Sequence, residues 1–481
     1  MEKQELQAIL HRLTDVIVDY LEADKNPDTK VVTQRSREEL LQLFSTELPE
    51  KGQSYDALFA DIEQYLELSV RTAHPRFFNQ LWGGFSLPGF LGDVIASLSR
   101  TSMYTFEMAP VATLMELELM RKMTGLVGWP NGEGTFVTGG SNGNMLALLM
   151  GRNRRFPNAK QQGTQQLERP LSLFISEQAH YSFEKACNIL GLGTDALVHV
   201  ASDNKGRIRP DALQKAIDDS KAAGREPFFV CATAGTTVLG AYDPIHEIAP
   251  ITKANNLWLH IDGSWGGSAL VSPRYRHLMQ GAEEADSMVW NPHKQMSVSL
   301  PCSVLLAREP GQLMTTCASG NNSYLFREYE HANLDLGEMS LQCGRKVDAL
   351  KLWLSWKYYG DDGYAQRIDR LFELAAYAEK LITAHPRFEL QAERQSTNVC
   401  FRYIPQGAEH LDLNTFNEAM RTRFLEDGRA MINVAYINNG EYTIRWVFAN
   451  PETTEEDLEI SLKLLEEAAE KTRKEFSPQT A

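Results

Sequence analysis

PFFVCATAGTTVLGAYDPIHEIAPITKANNLWLHID (227–262) holds, in one stretch, the unit from which the fold is built. PFFVCATA (227–234) is a short apolar run without polar alternation, the pattern of a strand buried on both faces. A polar turn follows, and then a helical stretch from Ile245 to Asn255. LWLHID (257–262) is a second buried strand. A helix between two such strands predicts a crossover joining parallel neighbours in one sheet.

The same alternation extends in both directions. Upstream lie LSLFIS (171–176), a helix around Tyr181 to Leu190, ALVHVA (196–201), and the helix of RPDALQKAIDDSKAAG, with Asp211 in its first turn and Gly224 at its end. Downstream lie SMVWN (287–291) and SVLLAR (303–308). An α/β domain with a mostly parallel central sheet covered by helices on both faces is expected. From about Tyr364 the texture changes to a long amphipathic helix, NVCFRYI (398–404), YTIRWVFAN (442–450) and an acidic helix from Thr454, which predicts a smaller C-terminal α+β domain. At the other end, Leu6, Ile9, Leu10, Leu13, Val16, Ile17, Tyr20 and Leu21 recur at steps of three and four, one apolar stripe on one helix. Two surfaces could receive that stripe, the chain's own domain or a second subunit. The expected divisions are 1–69, 70–363 and 364–481.

Composition narrows the class. Over 481 residues, 43% are hydrophobic and 23% charged, ordinary values for a globular protein with a sizeable core. A net charge of −15 argues against nucleic acid or an anionic membrane as the main partner. Six cysteines are scattered without a C-x-x-C pair, which reads as reduced thiols. MEKQELQAILHRL lacks the apolar core of a secretion signal, and no apolar run approaches the ~20 residues that cross a bilayer. A cytoplasmic chain is expected.

Several groups fall at strand ends or in the loops after them, where open α/β sheets bind ligands. TGGSNGN (138–144) precedes an apolar helix, Met145 to Met150, and its glycines and helix-start N–H groups suit a phosphate. His180 follows LSLFIS. Asp262 ends LWLHID. Lys294, in NPHK (291–294), follows SMVWN. Taken singly, the glycines could form a plain turn, His180 could be an ordinary surface or core residue, and Asp262 could cap a helix. Together they match pyridoxal phosphate. Its aldehyde requires a lysine amine, its ring nitrogen a carboxylate that keeps it protonated, its phosphate a cradle, and its ring face a flat group. No metal site is expected.

HPRFFNQL (74–81), FEMAPV (106–111), GGSNGN (139–144), SEQAHYS (176–182), TAGTTVLGAYDPI (233–245), LHIDGSWGG (259–267), NPHK (291–294), LQCGRKVDALKLW (341–353), TNVCFRYIP (397–405) and IRWVFANP (444–451) follow one another in this order. With them the sequence resembles the group II pyridoxal-phosphate decarboxylases, in the glutamate, cysteine sulfinate and aspartate decarboxylase branch. The resemblance spans nearly the whole chain. It implies the fold type I architecture, like that of aspartate aminotransferase, with a small C-terminal α+β domain and an N-terminal helical segment packing on a partner. It also implies a homodimer with the active site at the interface. By position it makes Lys294 the Schiff-base lysine, Asp262 the partner of the ring nitrogen and His180 the group stacked on the ring. Gly140, Ser141, Asn142, Thr237, Asn291 and His293 fall near the cofactor, mostly its phosphate. Arg445 falls where the substrate's side-chain acid is held, beside Gln80 and Trp82.

Two departures bear on the reaction. The family's loop before LQCGR carries a tyrosine that protonates Cα. Here SYLFREYEHANLDLGEMS (323–340) is slightly short, and Tyr329 is the candidate donor with His331 as the alternative. Trp82 stands where glutamate decarboxylases carry a small residue, so a shortened pocket is expected, favouring aspartate or cysteine sulfinate over glutamate. The resemblance implies β-alanine, hypotaurine or GABA, with CO2, as the expected products. An aldehyde synthase, in which oxygen captures the carbanion, and an idle regulatory homologue are the competing readings.

Overall fold

A computed structural model describes residues 1–320, 324–406, 411–437 and 440–476. Ser323, the first residue of the short loop stretch, lies outside them. The chain forms two units. One comprises Met1–Gly84, Leu374–Gln391 and Val399–Ala481; the other comprises Phe85–Glu373 and Ala392–Asn398.

The Phe85–Glu373 unit is built on a seven-stranded sheet. Its strands are β1 (Glu133–Val137), β2 (Leu171–Ser176), β3 (Leu197–Val200), β4 (Glu226–Thr233), β5 (Trp258–Gly263), β6 (Ser287–Trp290) and β7 (Ser303–Ala307). They lie in the order β1-β7-β6-β5-β4-β2-β3. Neighbours from β6 to β3 are parallel, while β7 runs antiparallel to both β6 and β1. With only β7 reversed, β1 to β6 share one direction and their C-terminal ends line one edge. This is why residues far apart in sequence can meet there.

Every residue of β2, β5, β6 and β7 is buried, as the unbroken apolar runs required. Alternate residues serve opposite faces. Phe174, Val230, Ile261 and Val304 belong to one core, and Leu173, Ile175, Phe229, Cys231 and Leu305 to the other. Leu146, Ala147, Leu148 and Met150 join the second core from the helix Gly140–Arg155. That helix lies close to the sheet, since a Cβ on Gly143 would come within 2.6 Å of Val289 Cγ2. It also begins five residues before the expected Met145, so most of the Gly-rich stretch is its first turn.

The long helix expected from about Tyr364 starts earlier, at Asp348, and is interrupted at Gly360 (φ 65°). The residues before the break, KLWLSWKYY (351–359), are apolar and aromatic enough to form a helix of their own.

The other unit carries a five-stranded mixed sheet in the order Phe77–Phe78, Met431–Ile437, Glu441–Val447, Asn398–Tyr403, Phe388–Leu390. Phe78, Phe401, Phe416, Ile444, Trp446 and Leu465 form its core. The final helix, Glu455–Phe476, starts after Thr454, whose hydroxyl accepts from the Asp457 N–H at 3.2 Å. The N-terminal helix is Lys3–Ala23, and none of its residues is buried. Leu6 and Leu10, on its apolar stripe, are 47% and 50% exposed. Among the described residues no helix is long and apolar enough to cross a membrane.

Candidate active site

Residues that follow five of the co-directional strands make up the site. After β1 the chain enters the Gly140–Arg155 helix through Gly139, which has no side chain to cap it. The helix start carries partial positive charge and unsatisfied N–H groups. Gly140 faces Ser264 and Asn291 so closely that a Cβ there would lie 2.6 Å from Ser264 Oγ and 2.9 Å from Asn291 Nδ2. The Oδ1 atoms of Asn142 and Asn291 are buried without a hydrogen-bond partner among the described residues. Polar atoms left unpaired in a buried place are costly, and the two amides mark a polar patch beside the helix start. Ser141, exposed at the helix start, adds a hydroxyl. Thr237, after β4, is half-buried, and its carbonyl accepts from Asn398 Nδ2 at 3.2 Å.

Asp262 is 5% exposed at the end of β5. Its Oδ1 accepts from the Ser264 N–H at 3.1 Å and its Oδ2 from Asn144 Nδ2 at 2.8 Å. Burial pushes its pKa up, but the Ser264 hydrogen bond, the Lys294 charge, the Asn144 amide and His260 outweigh it, and the net shift is downward. Asp262 is therefore a buried carboxylate that stays ionised, suited to pairing with a protonated ring nitrogen.

His180 is half-buried after β2. Its Nδ1 accepts from the Ser182 N–H at 3.2 Å, and its ring lies 4.2 Å from that of Tyr181. Burial lowers its pKa more than Asp262 raises it, and Lys294 and Lys185 lower it further. A neutral, flat imidazole results. Lys294 is half-buried in a turn after β6, its N–H bonded to the Asn291 carbonyl at 2.9 Å. Its charge acts on both Asp262 and His180, so these three groups share one electrostatic environment. The neighbouring His293 is held by the Cys302 carbonyl, 2.7 Å from Nδ1, and burial lowers its pKa to about 4.

The donor set fits pyridoxal phosphate. A half-buried amine, a buried ionised carboxylate, a flat neutral ring and a helix start with unsatisfied backbone N–H groups are what this cofactor requires. The family model of the pyridoxal-dependent decarboxylase conserved domain matches residues 38–404. The chain belongs to this family. It is 40% identical over 472 residues to human cysteine sulfinic acid decarboxylase, covering 96% of each chain. It is 38% identical over 443 residues to mouse acidic amino acid decarboxylase GADL1, covering 90% of this chain and 80% of that one. The crystal structure of mouse CSAD superposes with a TM-score of 0.94 at 38% identity, over 98% of this chain and 99% of that one. The protein is a pyridoxal-phosphate-dependent amino acid decarboxylase of the fold type I architecture. When bound, the cofactor supplies an electron-accepting ring for the charge left at Cα as CO2 departs.

The remaining expected residues lie on other elements. Tyr329 and His331 line a cavity of about 570 Å³ with Thr105, Phe106, Glu107 and Arg327. The Tyr329 hydroxyl donates to Asp335 Oδ1 at 2.6 Å, and the same oxygen accepts from the Phe106 N–H at 2.8 Å. Burial and then the Asp335 hydrogen bond raise the phenol's pKa, which keeps its proton in place. His331 packs edge-on against Phe106 at 5.2 Å. In the other unit, Arg445 is 5% exposed on the strand Glu441–Val447, and its Nη2 reaches the Asn79 carbonyl at 3.5 Å. Asn79 precedes Gln80, which is exposed. Trp82 is half-buried, its ring 5.7 Å from that of Phe77.

Sequence reasoning missed Asn144, His260 and Ser264. Two of them left a signal. His260 and Asp262 are two apart in one strand and must share a face. Asn144 is a polar residue at the head of the apolar run NMLALLM. A polar side chain on a buried face needs a partner, and each of these two supplies the other's.

Proposed function

We propose that this chain decarboxylates a small acidic L-amino acid at Cα, favouring aspartate or cysteine sulfinate over glutamate. The products are β-alanine or hypotaurine, together with CO2. Lys294 carries the cofactor, Asp262 pairs with its ring nitrogen and His180 covers its face. Gly140, Ser141, Asn142, Thr237, Asn291 and His293 hold it, chiefly at the phosphate. Tyr329 returns the proton to Cα. The names of the relatives support the acidic substrate.

The single observation that carries the substrate class is Arg445. Burial pulls its pKa down from the usual arginine value, yet an arginine keeps its charge inside a protein. A buried guanidinium offers an anionic ligand a fixed, water-poor anchor. Its planar fork can grip a carboxylate or sulfinate through two parallel hydrogen bonds. Arg445→Lys is therefore expected to lower kcat/KM for acidic substrates by about 10-fold or more, since the loss of charge-assisted bonds of ~1.5–3 kcal/mol corresponds to that range. Steady-state kinetics check this. Unchanged kinetics with a lowered melting temperature would make Arg445 a structural ion instead.

Trp82 sets the preference among acids. Glutamate is one methylene longer than the other two, and one methylene in a tight pocket is worth about 10–200-fold in kcat/KM. The experiment measures kcat/KM for aspartate, cysteine sulfinate and glutamate in the wild type and in Trp82→Ser. The wild type should favour the shorter acids, and the variant should shift toward glutamate. A wild type that prefers glutamate, or unchanged ratios in the variant, would contradict the assignment.

Uncovered apolar surface supports a homodimer. Leu6, Leu10 and Leu13 of the Lys3–Ala23 stripe lie open, and so do Leu87, Leu91, Val94, Ile95 and Leu98 on the helix Leu87–Ser99, these five each between 46% and 76% exposed. Spacings of three and four put these five residues on one face, a contiguous apolar patch of the kind that marks an interaction surface. The six free cysteines support a reducing, cytoplasmic setting.

A further inference from the structure

Behind Asp262 runs a chain of buried side chains joined end to end. Trp258 Nε1 lies 2.8 Å from Ser287 Oγ, and Ser287 Oγ lies 2.8 Å from His260 Nδ1. His260 Nε2 lies 3.0 Å from Asn144 Oδ1, and Asn144 Nδ2 lies 2.8 Å from Asp262 Oδ2. Ser287, His260 and Asn144 are at most 1% exposed.

The direction of every bond follows from its two ends. An ionised carboxylate can only accept, so Asn144 turns its Nδ2 to Asp262 and its Oδ1 accepts from His260 Nε2. The proton of the neutral imidazole therefore sits on Nε2, and Nδ1 accepts from the Ser287 hydroxyl, whose oxygen in turn accepts from the Trp258 indole N–H. Nδ2 also lies 3.0 Å from Ser182 Oγ, which fixes the amide from its other side. A neutral His260 is required throughout, and burial does hold its pKa down at about 4.

We propose that Asn144 and His260 are positioning residues that act through Asp262: their relay keeps the carboxylate ionised and oriented toward the cofactor's ring nitrogen. The inference rests on the assignment of Asp262 above. Neither residue touches the substrate. Both sit behind the carboxylate, where only a one-way donor chain ends on an acceptor. Partners placed this way around a metal ligand are worth roughly 10–100-fold in affinity or activity, and a similar size is expected here.

The test is a double-mutant cycle on the holoenzyme with Asn144→Leu and Asp262→Asn. It is read as kcat, amino acid KM and the pyridoxal phosphate dissociation constant from reconstitution of the apoprotein. Asn144→Leu should lower kcat and weaken cofactor binding, each roughly 10–100-fold, with KM unchanged. In the Asp262→Asn background it should add almost nothing to either loss. Losses that multiply in the double variant, or a single variant with normal cofactor affinity, would overturn the relay. Asp262→Asn alone tests the underlying assignment, so the two failures are distinguishable. Should Asn144→Leu not fold, ¹⁵N-histidine spectra of the wild-type protein decide. A His260 protonated only on Nε2 between pH 6 and 9 supports the relay, and a proton on Nδ1 overturns it.

Discussion

Lys294→Ala should produce no amine above an enzyme-free control and should lose the visible absorption band of covalently bound cofactor. Lys294 is the amine whose charge acts on both Asp262 and His180, so it shares their surroundings. Catalysis through a lysine adduct depends on that one nitrogen, and alanine offers no substitute nucleophile. The fold should survive, because Lys294 lies in a turn and is only half-buried. Absorbance of the purified variant mixed with pyridoxal phosphate and release of CO2 from aspartate are the two measurements. A variant that retains the band, or turns over at the wild-type rate, would move the adduct to another lysine.

Asp262→Asn is the second large loss. An opposite charge within a few ångströms shifts a pKa by about 1–3 units, so removing it should make the protonated ring about 10–1,000-fold rarer. kcat should fall by the same order. Asparagine preserves shape and can still accept from Ser264, so the melting temperature should change little by comparison. The amide also meets the Asn144 Nδ2 donor less favourably than a carboxylate does. Turnover within a few-fold of wild type in a well-folded variant would mean that another group keeps the ring nitrogen protonated.

What the sequence made legible was what local pattern encodes. LSLFIS became β2 without a change of boundary, and LWLHID and SMVWN became strands within a residue of their expected limits. Each is an unbroken apolar run between polar turns, and burial on both faces leaves no other pattern. β1, Glu133–Val137, was not foreseen, because EGTFV is short, begins with a glutamate and contains a glycine. The pair Phe77–Phe78 joins Met431–Ile437 in parallel across more than 350 positions, and nothing local announces such a partner. The site divides in the same way. The positions of Asp262, His180 and Lys294 at or just after strand ends were legible, because the direction of each strand could be inferred. The Asn144 and His260 contacts were not, since they depend on how closely one helix approaches the sheet, a distance set by Gly143. Tyr329 is legible only as a loop residue, because its bond to Asp335, six positions on in the same irregular stretch, follows no helix or strand period.

The central claim is that this site removes the α-carboxylate of a small acidic amino acid and returns a proton to Cα. The most direct measurement incubates the cofactor-loaded protein with aspartate, cysteine sulfinate and glutamate, and quantifies amine, CO2 and hydrogen peroxide together. Amine and CO2 in equal amounts from aspartate or cysteine sulfinate, with no peroxide, is the predicted result. Aldehyde with peroxide, or no CO2 from any of the three acids, would contradict it.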